Sequence, residues 1–192
     1  VKCVSIILIL GLCTVLVANC GSSPTPTPTP QPTNTPAPTP TPEDSAERHH
    51  EPAGGFSYVP PSGWELVESS RIQYKIAREP GAGDFAGNLN VVDEAFPGPL
   101  DEYVEASLHN MSTFFEGYRQ ISQEEFQPAE GPPGVRVVVE NAQQGRVLHQ
   151  TFYFFSTEQK TFVVACTRLA EAGEEFDAVC EQSVKTFRIE SE

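Results

Sequence analysis

The chain has 192 residues, of which 12 are Lys or Arg and 26 are Asp or Glu, so its formal net charge is −14. Residues 55–192 alone hold 10 basic and 22 acidic side chains, a net charge of −12, and their 138 residues suffice for one domain with a hydrophobic core. Such an acidic chain is not expected to bind nucleic acid, because contacts to the phosphate backbone depend on Lys and Arg.

A short apolar run lies near the start of the chain. Lys2 precedes this run of 15 residues, which extends from Val4 to Ala18 and leads into Asn19-Cys20. The run matches the apolar core of a signal peptide and is shorter than the roughly 20 residues that cross a bilayer, although an uncleaved membrane helix is the alternative. Val17-Ala18-Asn19-Cys20 is similar to a lipobox, but Asn19 stands where Gly, Ala or Ser is usual. We therefore predict a signal peptide at 1–19 and a lipidated Cys20 that anchors the chain at the extracytoplasmic face of a bacterial cell membrane.

Residues 20–54 have the composition of a disordered stalk. Pro and Thr nearly alternate from Pro24 to Pro42, which favours an extended polyproline II spacer that buries nothing. His49, His50 and Glu51 follow in the same segment. A metal site needs several ligands in a fixed geometry, so these three residues are predicted to belong to the linker and no metal site is expected.

In the first part of the predicted domain, apolar and polar residues alternate as they do in β-strands. Extended segments are indicated at 56–59, 64–67, 72–78 and 88–92. The glycine-rich segment 81–87 lacks the spacing and the following helix of a dinucleotide-binding loop, so it is predicted to be a hairpin loop. Trp64, Asp93 and Glu94 are the candidate residues for binding a small ligand or a cation.

Two helices and four further strands complete the predicted domain. Apolar residues recur at helical spacing over about 100–116 and again over about 173–186, and acidic residues stand in the first turn of each segment. The remaining segments alternate or are densely apolar, as in an antiparallel sheet, at 119–126, 135–140, 146–156 and 161–169.

Two cysteines remain in the predicted domain. Cys166 shares one strand face with Phe162 and Val164, and Cys180 lies on the apolar side of the last helix. A disulfide between Cys166 and Cys180 is therefore geometrically reasonable in an oxidising compartment, and two buried free thiols are the alternative.

The order of these elements, together with several short motifs, resembles the PsbP-like superfamily over residues 55–192. The motifs are Phe56-Ser57-Tyr58-Val59-Pro60 with Gly63-Trp64, Asn88-Leu89-Asn90-Val91-Val92 before the first helix, His149-Gln150 at the start of a strand, and Thr186-Phe187-Arg188-Ile189 near the end. The resemblance implies an α+β fold, a single α/β/α sandwich with a central and mostly antiparallel sheet. It also implies a binding or assembly module that is not an enzyme. The lipobox and the stalk depart from the photosynthetic members and point to the lipoproteins of that superfamily.

No combination of a nucleophile, a base and an orienting group is evident in the sequence, so no catalytic residue and no cofactor are predicted. The first functional hypothesis is a membrane-anchored lipoprotein whose domain binds an unidentified envelope protein. The alternative is a lipoprotein that binds a small ligand or a cation in association with transport.

Overall fold

Long alternating strands form most of the second half of the chain. In the computed structural model, which describes residues 47–81 and 85–190, ten strands and two helices are formed by the described residues. In chain order they are β1 (His49–Glu51), β2 (Phe56–Tyr58), β3 (Glu65–Val67), β4 (Ile76–Arg78), β5 (Asn88–Ala95), α1 (Leu100–Phe114), β6 (Glu116–Phe126), β7 (Gly134–Gln143), β8 (Arg146–Ser156), β9 (Lys160–Leu169), α2 (Glu175–Lys185) and β10 (Arg188–Ile189). Both helices and the four strands between them lie where the sequence predicted them, whereas the strand expected at 72–78 forms only at its end.

A seven-stranded antiparallel sheet in the order β3-β4-β5-β9-β8-β7-β6 is the centre of the fold. Because side chains alternate along a strand, Phe152 and Phe154 of β8 point to one face, while Tyr153 and Phe155 point to the other. The first pair packs in a core with residues of α1, and the second pair packs in a core with residues of α2. The helices therefore cover opposite faces, which confirms the predicted α+β fold with an α/β/α sandwich.

A small second sheet, β1-β2-β10, packs on the α2 side of the large sheet. Phe56 of β2 and Phe187 beside β10 stack on each other, and Phe187 also stacks on Phe155. β1 pairs with β2 because a turn at residues 51–55 reverses the chain, so that His49 lies opposite Tyr58. Residues 47–54 thus belong to the fold, and the folded part begins before the predicted boundary at residue 55. The polar sequence of β1 gave no alternating pattern from which this edge strand could be predicted.

Two connections hold α2 to the sheet. Cys166 of β9 and Cys180 of α2 form the predicted disulfide, and both residues are buried. Arg168, only 5% exposed, donates two hydrogen bonds of 2.8 and 2.7 Å to the carboxylate of Asp177. The same guanidinium donates to three backbone carbonyls, of Leu169, Ala170 and Ala172. The first turn of α2 is therefore fixed to the end of β9 by paired charges as well as by a covalent bond.

The predicted signal peptide (1–19), the predicted lipidation site Cys20 and the predicted stalk up to residue 46 lie outside the described residues. Neither α1 nor α2 has the length and apolarity that a membrane-crossing helix requires.

Candidate functional site: a cavity with an amide floor

A cavity of about 250 Å³ lies on the α1 face of the sheet. Its floor is formed by β5, β9 and β8, and it is also lined by residues of α1 and by Val67, at the end of β3, and the segment that follows it up to Ile72. Most of the lining is apolar, with Phe152, Phe154 and Val163 prominent on the floor. A concave, largely apolar space with a few polar groups is the usual form of a small-molecule site.

The side chains that β5 contributes to the cavity floor differ in polarity along the strand. Asn88, Asn90, Val92 and Glu94 occur at alternate positions and line the cavity, whereas Leu89 is buried in the core of the opposite face. The strand therefore presents two amides, then an apolar side chain, then a carboxylate to the same space.

A row of hydrogen-bonded polar side chains crosses the adjacent strands at the amide end. Asn141 of β7 donates to the amide oxygen of Gln150 on β8 at 2.5 Å, and Gln150 donates to the hydroxyl of Thr167 on β9 at 3.1 Å. Gln150 and Thr167 are directly opposite each other in the strand register, and both line the cavity. Gln150 therefore has a partner for both its amide oxygen and its amide nitrogen, whereas the buried amide oxygen of Asn141 has none.

Asn90 does not have its full complement of hydrogen bonds. Asn88 Nδ2 donates to the backbone carbonyl of Ala86 at 3.3 Å, so the amide oxygen of Asn88 is left to accept from Asn90 Nδ2, also at 3.3 Å. The Ala86 carbonyl can only accept, so the NH₂ group of Asn88 must point to it and the Asn88 oxygen must point to Asn90. Asn90 must then present its own NH₂ group to that oxygen, which fixes the orientation of both amides. The amide oxygen of Asn90 is left without a partner, in a side chain that is 4% exposed and lines the cavity.

Glu94 lies at the other end of the cavity beside α1. The phenol hydroxyl of Tyr103 donates to Glu94 Oε2 at 3.0 Å. Burial raises the pKa of Glu94, and the hydrogen bond from Tyr103 opposes that rise without cancelling it. Burial and the neighbouring carboxylate likewise raise the pKa of Tyr103, so the phenol remains a donor. The cavity thus contains a half-buried carboxyl group whose pKa is raised by burial.

The structure separates the three residues that the sequence suggested for ligand binding. Asp93 borders the same cavity as Glu94, but its carboxylate accepts a hydrogen bond of 2.5 Å from Tyr74 and forms a 3.0 Å ion pair with Lys160. Trp64 stacks at 5.3 Å on Phe176 and packs against the core of the α2 face. Glu94 and Asp93 are therefore brought together by β5, whereas Trp64 lies elsewhere.

Sequence reasoning missed the polar floor formed by Asn90, Gln150 and Thr167. The available signal was the presence of amide and hydroxyl side chains at alternate positions in strands that are otherwise rich in Val and Phe. The polar residues of β1 do not form a metal site, although His50 contacts Glu190 at 2.8 Å. Among the described side chains, no group of three or more His, Cys, Asp or Glu residues is arranged to hold a metal ion.

Similarity to solved structures shows that this arrangement, an antiparallel sheet between two helices, is a PsbP-like fold. Cyanobacterial PsbP from Synechocystis sp. PCC 6803 is similar with a TM-score of 0.52 at 14% identity, over 79% of this chain and 97% of that one. LpqN of Mycobacterium tuberculosis, which is involved in cell envelope biogenesis, is similar with a TM-score of 0.55 at 11% identity, over 78% of this chain and 87% of that one.

A protein of unknown function from Pseudomonas aeruginosa is also similar, with a TM-score of 0.52 at 14% identity, over 64% of this chain and 94% of that one. No family model matches the sequence, and no curated protein sequence matches it either. At these identities the similarity establishes the fold alone.

Proposed function

We propose that this chain is a non-enzymatic module of the bacterial cell envelope that binds a small molecule in the cavity under α1. The observation that carries the proposal is the side chain of Asn90, which lines the cavity and whose buried amide oxygen lacks a partner. A buried acceptor without a donor destabilises the fold, and a ligand that supplies the donor would remove that cost.

The chemistry of the lining supports binding in preference to catalysis. The hydroxyl of Thr167 contacts Gln150, and the hydroxyl of Ser107 donates to the backbone carbonyl of Tyr103 at 2.8 Å. Neither contact provides the base that would activate a nucleophile. The amides and hydroxyl can orient a bound molecule, while the apolar walls exclude water from it.

The envelope location is supported by the sequence of residues 1–20 and by the involvement of the similar LpqN in cell envelope biogenesis. We propose that Cys20 carries the lipid that connects the protein to the membrane. The test is the intact mass of the protein purified from membranes, beside a Cys20→Ser variant. A mass for residues 20–192 plus a diacylglyceryl group and a fatty acid supports the anchor, and an unprocessed or unlipidated mass contradicts it.

The binding function is tested with the full chain carrying Cys20→Ser, so that no attached lipid or detergent competes for the cavity. Native mass spectrometry should detect a co-purified small molecule, or a thermal-shift screen of metabolites should find a compound that stabilises the protein. Ala165→Leu adds three carbon atoms to the cavity floor and should reduce both effects. Val147→Thr changes an exposed residue of the opposite face and is the matched control.

The proposal fails if no molecule co-purifies and no compound stabilises the protein, or if Ala165→Leu binds like the control variant. Circular dichroism of both variants separates a blocked cavity from a damaged fold.

A second candidate function, binding of another envelope protein, is favoured by the unpaired edge of β6. This strand has 11 residues and ends the described sheet, and its Ile121 is 43% exposed. Such an edge can accept a strand from a partner, and Glu116, Glu124 and Glu125 would favour a basic one. Crosslinking in membranes should then yield a product that Ile121→Glu abolishes and Val147→Thr retains.

A further inference from the structure

Two acceptors stand at separate positions on one strand of the cavity floor. Asn90 and Glu94 are four residues apart on β5, a distance of about 13 Å along an extended strand. Val92 lies between them on the same face, and Phe152 and Val163 of the neighbouring strands line the same space. A molecule that contacts both acceptors must therefore be elongated and apolar in its middle part.

The two ends of the cavity require different groups from such a molecule. The Asn90 oxygen is a neutral acceptor, and a hydroxyl or an amide N–H would satisfy it. Glu94 receives one hydrogen bond from Tyr103, at Oε2, and an ionised carboxylate can accept several more. An ammonium group would add a charge-assisted hydrogen bond in a place where burial makes electrostatic attraction stronger than in water.

The charges of the lining favour one orientation of the molecule. Arg78 of β4 lies opposite Asn88 in the strand register and lines the cavity at the amide end, where it forms a 3.3 Å ion pair with Glu65. Because Glu65 is already paired with Arg78, it adds little attraction for an ammonium group at the amide end, whereas Glu94 accepts the hydrogen bond of a neutral phenol and therefore favours a positive group beside it. The strongly acidic chain further increases the local concentration of cations.

We propose that the cavity binds a linear, largely apolar molecule with an ammonium group beside Glu94 and a neutral hydrogen-bond donor beside Asn90. This inference rests on the proposed function, because it specifies the ligand class of the same cavity.

The test uses four eight-carbon probes with the full chain carrying Cys20→Ser. The probes are 8-amino-1-octanol, octylamine, 1-octanol and octanoate, and binding is measured by isothermal titration calorimetry at 0.15 M salt. We expect 8-amino-1-octanol to bind most tightly, with 1-octanol at least tenfold weaker and octanoate weaker still. Octylamine, which lacks the second donor, should lie between 8-amino-1-octanol and 1-octanol.

Two variants assign these differences to the two acceptors. Glu94→Gln should reduce the affinity for 8-amino-1-octanol to that for 1-octanol. Asn90→Leu should reduce the affinity for 8-amino-1-octanol to the affinity for octylamine, whereas the affinity for octylamine itself should stay the same or increase. Glu105→Gln removes an exposed carboxylate from α1 and should change neither affinity.

The inference is overturned if 1-octanol or octanoate binds as tightly as 8-amino-1-octanol, or if Glu94→Gln has no more effect than Glu105→Gln. In those cases the cavity still binds a small molecule, and the proposed function stands. If no probe binds, the ligand class is wrong. The proposed function is then judged separately: it fails as well if no molecule co-purifies and no compound stabilises the protein, or if Ala165→Leu leaves co-purification and thermal stabilisation unchanged.

Discussion

Removal of the Cys166–Cys180 disulfide is expected to destabilise the domain by an amount that follows from the length of the loop that it closes. The two residues are 14 positions apart. Crosslinking a loop of about 15 residues restricts the unfolded chain by about 10 cal/mol/K, which corresponds to about 3 kcal/mol at 25 °C. For a folded part of roughly 140 residues, with about 2.1 cal/mol/K of unfolding entropy per residue, the melting temperature should fall by about 10 °C.

The assay compares the full chain carrying Cys20→Ser with the same chain carrying Cys166→Ala and Cys180→Ala, by circular dichroism during heating and in urea. The buried sulfur atoms are also removed, and the loss of their packing will add to the effect. About 3 kcal/mol is therefore the smallest loss of unfolding free energy that we expect. A fall of less than 3 °C would refute the reasoning, since the loop constraint would then contribute little. A larger urea m-value in the variant would agree with this reasoning, because an unfolded chain without the crosslink exposes more surface.

Three further changes test other parts of the structure. Asp177→Asn removes the negative charge that compensates the buried guanidinium of Arg168 and leaves one amide oxygen as its side-chain acceptor, so it should cost roughly 3 kcal/mol of unfolding free energy in urea. Phe187→Ala removes a buried ring that stacks on two others and should cost about 3–5 kcal/mol in the same assay. The pKa of Glu94 is higher in the folded state than its unfolded value near 4.5, so its protonated form stabilises the fold, and this stabilisation is lost as the pH rises from 4.5 through the folded-state pKa. In urea midpoints measured over a series of pH values, Glu94→Gln should abolish this loss of stability and Glu105→Gln should retain it.

Much of the sheet could be predicted because its strands obey simple periodicities. β7, β8 and β9 alternate or are continuously apolar and are joined by short loops, so their antiparallel pairing follows from the sequence. The disulfide also followed from local patterns, because period two in β9 and period 3.6 in α2 place Cys166 and Cys180 on facing sides.

The helix α1 shows where such patterns are insufficient. The apolar residues at helical spacing within the predicted helix 100–116 include Val104, Leu108 and Met111, but the buried residues of α1 are Tyr103, Val104 and Ser107. Ser107 can be buried because its hydroxyl donates to a backbone carbonyl of its own helix. A pattern of apolar residues does not reveal such a hydrogen bond.

The cavity could not be predicted because it depends on the relative placement of distant segments. Asn141, Gln150 and Thr167 meet only when three strands adopt one particular register. The proximity of Glu94 to Tyr103 depends on the path of the chain between β5 and α1. The sequence did not distinguish Asp93 from Glu94, but in the structure Asp93 is bound by Lys160 and Tyr74, whereas Glu94 accepts a hydrogen bond from Tyr103.

The small sheet β1-β2-β10 brings both ends of the described fold to the side of the molecule opposite the cavity. His50 contacts Glu190 directly, and the backbone N–H of Glu190 donates to the carbonyl of Gly55 at 2.8 Å. A sensor chip, a fluorophore or a fusion partner attached at either end would therefore leave the cavity accessible. The same proximity makes this domain suitable for circular permutation, with a short peptide joining residues 190 and 47 and new ends at the exposed Gln144-Gly145 turn.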